Sequence, residues 1–331
     1  MTMLNRVARL AAPGRFEFTE EPVREPGDRD VVLQLIASGI CSSEVPFFTG
    51  DAVADPKAFI KYARYPLDLG HELSGRVVAA GPGVTRFKAG DLVTGFTIYG
   101  SGFATHFVEK EENLALIPPG ADPRYALGEP ITCAVNILRS TAPEIGDDVV
   151  VIGEGFMGLL MVQLLSRWPL RSLSVVGLVD DKLRRAREYG AHRTFRADDP
   201  AAMQELYSGV LQERGAQAVI ELAGNAKALE TAAWLVKSRR GKLVIPSFYT
   251  SKTAFTIGGF LMRKGPLMIP AHPAYSKDLH DDLARGMWAL GEGLISLKEL
   301  VTHTFSFDQL HEAFQNASRK DPEHIKTLVL F

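Results

Sequence analysis

The chain has 331 residues, which at roughly 150 residues per domain suggests about two domains. Its 37 Lys and Arg nearly balance 39 Asp and Glu, a net charge of −2, which excludes a strongly basic nucleic-acid binder and an acidic disordered chain. With 46% hydrophobic and 23% charged residues it has the mix of an ordinary globular protein, long enough to bury about three quarters of its unfolded surface without disulfide staples.

The N-terminal stretch MTMLNRVARLAAPGRFEF lacks an apolar core followed by a cleavage site, so it is expected to be a first strand rather than a signal peptide. Up to about residue 128, short β-branched runs sit between turn signals: Asp30–Ile36, Gly75–Ala80 and Gly90–Val93. These predict a small, irregular β domain. From about 130 to 275 strand-like and helix-like runs alternate: VVVIG, FMGLLMVQLLSRW, SLSVVGLVD, KLRRAREYGA, AVIELAG, AKALETAAWLVK, KLVIPS. Such alternation predicts a parallel sheet covered by helices. The tail from about 276 reads as two amphipathic helices and a final strand, Ile325–Phe331. The longest apolar stretch, Phe156–Leu165, is too short for a membrane span. Two cysteines, Cys41 and Cys133, make no disulfide framework, and a reducing, cytoplasmic location is expected.

Directly after the strand-like Asp147–Ile152 comes Gly153-Glu154-Gly155-Phe156-Met157-Gly158, directly before a helix-like run. This is G-x-G-x-x-G in a strand–turn–helix setting. The first glycine permits the turn, the second lets a pyrophosphate approach the backbone, and the third lets helix and strand pack closely. The phosphates would meet free N–H groups at a helix N-terminus. A glycine-rich turn with no ligand is the plainer alternative. An acid that binds the NAD ribose normally stands about 20 residues further on. Here that place falls on Gly177, which permits NADP, yet no cation follows at once, and Asp180 and Asp181 would repel a 2′-phosphate. Both aspartates also suit a helix cap and first turn. NAD and NADP both remain open.

Three stretches of the first region carry metal-ligand chemistry: Gly39-Ile40-Cys41-Ser42-Ser43-Glu44, Gly70-His71-Glu72-Leu73-Ser74-Gly75 and Gly128-Glu129-Pro130. A thiolate, an imidazole and carboxylates suit a catalytic zinc with one open position. Taken singly, Cys41 reads as a small buried hydrophobe, His71 as a hydrogen-bonded core histidine, and Glu129 as the cap of a helix following Pro130.

The stretch Gly70–Val84, GHELSGRVVAAGPGV, with Gly90-Asp91, Cys41–Glu44, Glu129-Pro130, the GEGFMG turn and IKTLVLF in this order, resembles the medium-chain zinc-dependent alcohol and polyol dehydrogenases, in the branch of sorbitol dehydrogenase. The resemblance spans essentially the whole chain. It implies an α/β fold: a Rossmann doubly wound parallel sheet over 130–275, plus an irregular β-rich, GroES-like catalytic domain over 1–129 and 276–331. It implies one catalytic zinc on Cys41, His71 and Glu129, with Glu72 able to bind directly or through water, and NAD or NADP held by Gly153, Gly155, Phe156, Met157, Gly158 and Asp180. Glu44 would orient His71, Ser43 would take the proton of a zinc-bound alcohol, and Lys326 would contact the pyrophosphate. The activity implied is hydride transfer between NAD(P) and a secondary alcohol of a polyol, sugar or cyclitol, giving a ketone, in a homodimer or homotetramer. No nucleic-acid or membrane partner is expected.

The chain departs from relatives in two respects. Gly90–Phe107 contains no cysteine where many carry a four-cysteine structural zinc lobe, so that second zinc is not expected, and Pro46 stands where liver-type enzymes have a relay histidine. Cys133, one helical turn past Glu129, reads as structural. Thr49–Tyr65 reads as a pocket-shaping segment or a surface loop. His272 and Tyr275, like Tyr99, read as substrate contacts or plain loop residues, and His303 as structural. A zinc-free quinone or enoyl reductase and a non-catalytic nucleotide-binding protein are the competing functions; the Cys41, His71 and Glu129 set argues against the first, and Ser43 with the glycine turn against the second.

Overall fold

The computed structural model describes residues 3–54, 64–97, 100–247, 249, 262–319 and 321–331. Its chain divides into two compact units, Met1–Thr132 with Asp278–Phe331, and Cys133–Lys277.

In the first unit the strands are β1 (Leu4–Ala12), β2 (Arg15–Pro22), β3 (Asp30–Gly39), β4 (Leu67–Asp68), β5 (Glu72–Ala80), β6 (Leu92–Gly95), β7 (His106–Lys110) and β8 (Leu114–Leu116). A three-stranded sheet runs β2-β1-β4. β3 is central to a larger sheet, where β5 and β7 pair antiparallel to it. Its sequence DVVLQLIASG is buried at nearly every position, so it does not alternate as a one-faced strand would. Val31, Leu33 and Leu35 meet Leu73, Val77, Val93 and Phe107 in one core. A second core gathers Phe48, Phe103, Phe307 and Phe314, with the rings of Phe103 and Phe314 edge to face at 5.4 Å.

The second unit holds β9 (Asp148–Ile152), β10 (Ser172–Gly177), β11 (Arg193–Arg196), β12 (Ala218–Glu221), β13 (Lys242–Ile245) and β14 (Leu267–Pro270). All pair in parallel, in the spatial order β11-β10-β9-β12-β13-β14. Counted from β9 this is 3-2-1-4-5-6, the order of a doubly wound dinucleotide fold. β9 and β10 are wholly buried. Val150, Ile152 and Val176, with Val219 of β12, share a core with Leu229, Ala232 and Ala233 of the helix Ala226–Leu235. Helix Phe156–Leu165 is apolar all round and nearly all buried, which is why its sequence has no polar face.

Back in the first unit, β15 (His303–Ser306) and β16 (Thr327–Leu330) extend the larger sheet, with β16 antiparallel to β3. The two amphipathic tail helices are Leu279–Gly291 and Leu310–Ser318. Strand β6 begins at Leu92 rather than Gly90, because Gly90, at φ +96°, belongs to the preceding turn. Among the described residues no helix is long and apolar enough to cross a membrane.

Candidate functional site

Three strand ends converge on Gly39. It pairs with Glu72 on β5 and with Leu328 on β16. Cys41 lies two residues beyond β3, His71 one residue before β5, and Lys326 one residue before β16. Register therefore brings together side chains that sequence separates by hundreds of residues. A side chain at Gly39 would meet the Glu72 carboxylate, Leu127 Cδ1 at 3.0 Å and Lys326 Cε at 3.0 Å, so the bare backbone makes the room.

Ligand atoms of Cys41, His71 and Glu72 lie within 4.8 Å of one another, a spacing suited to sharing one ion at about 2 Å each. Glu44 builds the wall behind them. Buried at the turn before the short helix Val45–Thr49, its Oε1 accepts from His71 Nδ1 at 3.0 Å and from the Gly70 N–H at 2.6 Å. Oε2 accepts from the Cys41 N–H at 3.1 Å. One carboxylate thus ties two ligand stretches together and leaves His71 Nε2 free to ligate, as metal-bound histidines require. Burial alone would push Glu44 upward; the charge and hydrogen bond of His71 and the two backbone donors more than offset it and hold the carboxyl below its usual range. Burial also works against a charged His71, yet Glu44 and Cys41 hold its pKa well above the ordinary value.

Glu72 is 2% exposed, and Lys326 Nζ lies 2.6 Å from both its oxygens. Only Oε1 receives a well-aligned hydrogen, which leaves Oε2 a buried acceptor with no directed donor. A thiol, an imidazole and an incompletely satisfied carboxylate form a donor set that fits zinc. Lys326, expected to contact a pyrophosphate, has its ammonium buried beside Glu72. Burial opposes its charge, but Glu72, Cys41 and, more weakly, Glu129 raise its pKa. Glu129 is not one of the clustered ligands. It lies in the first turn of helix Gly128–Thr141, which starts before Pro130 rather than after it, within electrostatic range of the Lys326 ammonium. Ser43 is half-buried in the turn between Cys41 and Glu44, and Cys133 is half-buried in the same helix as Glu129.

In the second unit Gly153 has φ +104°, and a Cβ there would strike the backbone of Leu222 and Ala223 at 2.8 and 2.9 Å. Gly155 caps helix Phe156–Leu165, and nothing lies within 4 Å of where its Cβ would be. A Cβ on Gly158 would enter the Gly153 carbonyl oxygen. Turn, open approach and close packing thus fall to the three glycines in that order, a cradle that fits a pyrophosphate. Phe156 is buried and Met157 half-buried in the first turn of the helix. Asp180 and Asp181 occupy the first turn of helix Asp180–Glu188, but the cap itself is Val179. Asp180 bonds Arg196 at 2.8 Å.

Sequence reasoning missed Glu154. Its carboxylate stands over Gly177 and accepts the N–H groups of Leu178 and Val179 at 2.8 and 3.0 Å. An acid inside the glycine turn, coupled with a glycine at the usual acid position, was the available signal. His272 caps the turn Pro273–Tyr275 by accepting the Ala274 N–H at 3.1 Å, and the Tyr275 side chain is exposed. Tyr99 and most of Thr49–Tyr65 lie outside the described residues.

Residues 27–129 match the alcohol dehydrogenase GroES-like domain. Sorbitol dehydrogenase of Halalkalibacterium halodurans is 26% identical, with 96% of each chain covered. In that domain and in its relatives the chain is similar to the zinc-type alcohol and polyol dehydrogenases. Among solved structures, an Escherichia coli oxidoreductase/dehydrogenase of unknown specificity superposes with a TM-score of 0.87 at 22% identity, covering 99% of both chains. A zinc-binding dehydrogenase of Sinorhizobium meliloti, described as putative and bound to NADP, gives 0.85 at 22% identity over 99% of this chain and 100% of the other. For this chain the two solved structures speak to the fold alone.

Proposed function

We propose that this dehydrogenase transfers a hydride between a secondary alcohol of a polyol, sugar or cyclitol and a nicotinamide dinucleotide, with a single zinc, and works as a homodimer or homotetramer. The observation that carries the reading is the gathering of Cys41, His71 and Glu72 around Glu44, on a chain that also bears the glycine cradle. The sorbitol dehydrogenase relative supports the polyol class, and the cysteine-free Gly90–Phe107 stretch supports one zinc.

Cys41, His71 and Glu72, whose ligand atoms lie together, would hold zinc, with Glu129, outside that cluster, as the further donor the family pattern implies. When bound, zinc supplies Lewis acidity toward the substrate oxygen, and the nicotinamide accepts or returns the hydride. Glu44 fixes the His71 tautomer, so that Nδ1 donates and Nε2 ligates. Lys326 holds Glu72 through Oε1 and compensates its buried charge. Ser43 accepts the hydroxyl proton of the alcohol. Pro46 has no titratable atom, so the proton leaves by water or a ribose hydroxyl rather than through position 46.

The test is a panel of polyols, sugars and cyclitols on zinc-loaded protein with NAD and with NADP, followed at 340 nm. Turnover of a secondary alcohol that chelation abolishes, and that Cys41→Ser abolishes together with bound zinc, is the expected result. Turnover that persists in metal-stripped protein overturns the reading.

A further inference from the structure

In a doubly wound sheet the acid that grips the adenosine ribose grows from the end of the second strand. Here that strand is β10, and it ends in Gly177, which has no side chain to offer. The space is nevertheless filled by a carboxylate. Glu154 comes from the glycine turn after the neighbouring strand β9, where Ile152 pairs with Val176. A Cβ built on Gly177 would lie 2.9 Å from Glu154 Oε1 and nearer still to Oε2. Oε1 is clamped by the N–H groups of Leu178 and Val179, at 2.8 and 3.0 Å, and Oε2 is engaged by neither. We infer that Glu154 is the residue that reads the adenosine ribose: Oε2 accepts the 2′-hydroxyl, and the carboxylate repels a 2′-phosphate, so the dehydrogenase prefers NAD to NADP. The inference rests on the reading of the second unit as a dinucleotide site.

The surrounding charges agree with it. Arg196, paired with Gly177 across the sheet, is the cation best placed by register to take a 2′-phosphate. Its guanidinium is already held by Asp180 at 2.8 Å and by Asp198 at 2.8 and 2.9 Å. Glu154, Asp180 and Asp198 carry three negative charges against Arg196, which two of them already hold, and Lys227, which acts on Asp198 from a distance, so this corner has no net positive charge to offer a phosphate dianion. Gly177 and Glu154 also exclude one another sterically. An ordinary acid at 177 would evict Glu154, so the two positions act as one device.

Dissociation constants for NADH and NADPH, measured by tryptophan fluorescence on the zinc-loaded protein, test this without reference to turnover. The wild type is expected to bind NADH about tenfold or more tighter than NADPH, the size of one hydrogen bond to a charged acceptor plus repulsion. Glu154→Gln keeps shape and an acceptor for the two backbone donors, and is expected to bring the ratio close to one; Glu154→Ala should do the same. Glu154→Ala combined with Gly177→Asp should restore the preference by putting the carboxylate on the strand itself. Equal binding by the wild type, a preference for NADPH, or an unchanged ratio in both Glu154 variants overturns the assignment while leaving the dinucleotide site standing. Failure of the wild type to bind either dinucleotide overturns the site and the assignment together.

Discussion

Glu44→Gln isolates what the buried carboxylate does behind the candidate zinc ligands. The amide keeps the volume, and its oxygen can still accept from the Gly70 N–H and His71 Nδ1, which both use Oε1. The NH2 group then faces the Cys41 N–H, which donates to Oε2 in the wild type. A donor opposite a buried donor costs about 1–3 kcal/mol, and the pull of a full negative charge on His71 is lost as well. Outer-sphere partners of this kind are worth about 10–100-fold in metal affinity. The variant is therefore expected to fold, to melt at a lower temperature, and to bind zinc at least about tenfold more weakly. Competition with a chromophoric chelator gives the zinc affinity, and circular dichroism gives the melt. Zinc affinity within about twofold of wild type would refute the claim that Glu44 sets the ligand geometry.

Ser43→Ala is expected to lower kcat by about 100-fold or more, the usual worth of a positioned proton acceptor, with dinucleotide dissociation constants unchanged; an unaltered kcat removes Ser43 from proton transfer. Gly158→Ala places a Cβ in the Gly153 carbonyl oxygen and should abolish binding of both NADH and NADPH, as judged by fluorescence titration; retained affinity would show that the turn relaxes. Asp30, at the start of β3, is held below the ordinary aspartate pKa by the Lys110 hydrogen bond against the opposing effect of burial, with help from the Gly27 N–H and Arg24. The unfolded chain then binds the proton more readily, so this stabilisation is present above the ordinary aspartate value of about 3.9 and is lost as pH falls through the lower folded value. Asp30→Asn should lower stability by about 1–3 kcal/mol at pH 7 in urea melts, and the gap to wild type should narrow as pH falls below the ordinary aspartate value; a gap independent of pH contradicts the assignment.

In the second unit β9, β10, β12 and β13 and the helices Phe156–Leu165, Asp180–Glu188 and Ala226–Leu235 were legible because each is a local pattern, whereas the short strands β11 and β14 were not picked out. VVVI and SVV are continuous apolar runs of β-branched residues, as a strand covered on both faces must be. The glycine turn was legible for the same reason: its three requirements fall within six consecutive residues. Boundaries were less so. The sequence does not say that helix Gly128–Thr141 starts ahead of Pro130, because proline is tolerated in a first turn and marks no fixed position within it.

By itself the sequence determined the inventory: a β-rich stretch, an alternating βα stretch, and donor groups at Cys41, His71, Glu72 and Glu129. It could not say which donors meet, since that depends on the register of β3 against β5 and β16, set by packing over long separations. Only the tertiary structure put Lys326 against Glu72, because a buried carboxylate draws in a buried ammonium. Only the tertiary structure, too, filled the space over Gly177 from the neighbouring strand. Local patterns record what a backbone segment prefers; a vacancy in one strand and the side chain that enters it from another are recorded in neither segment alone.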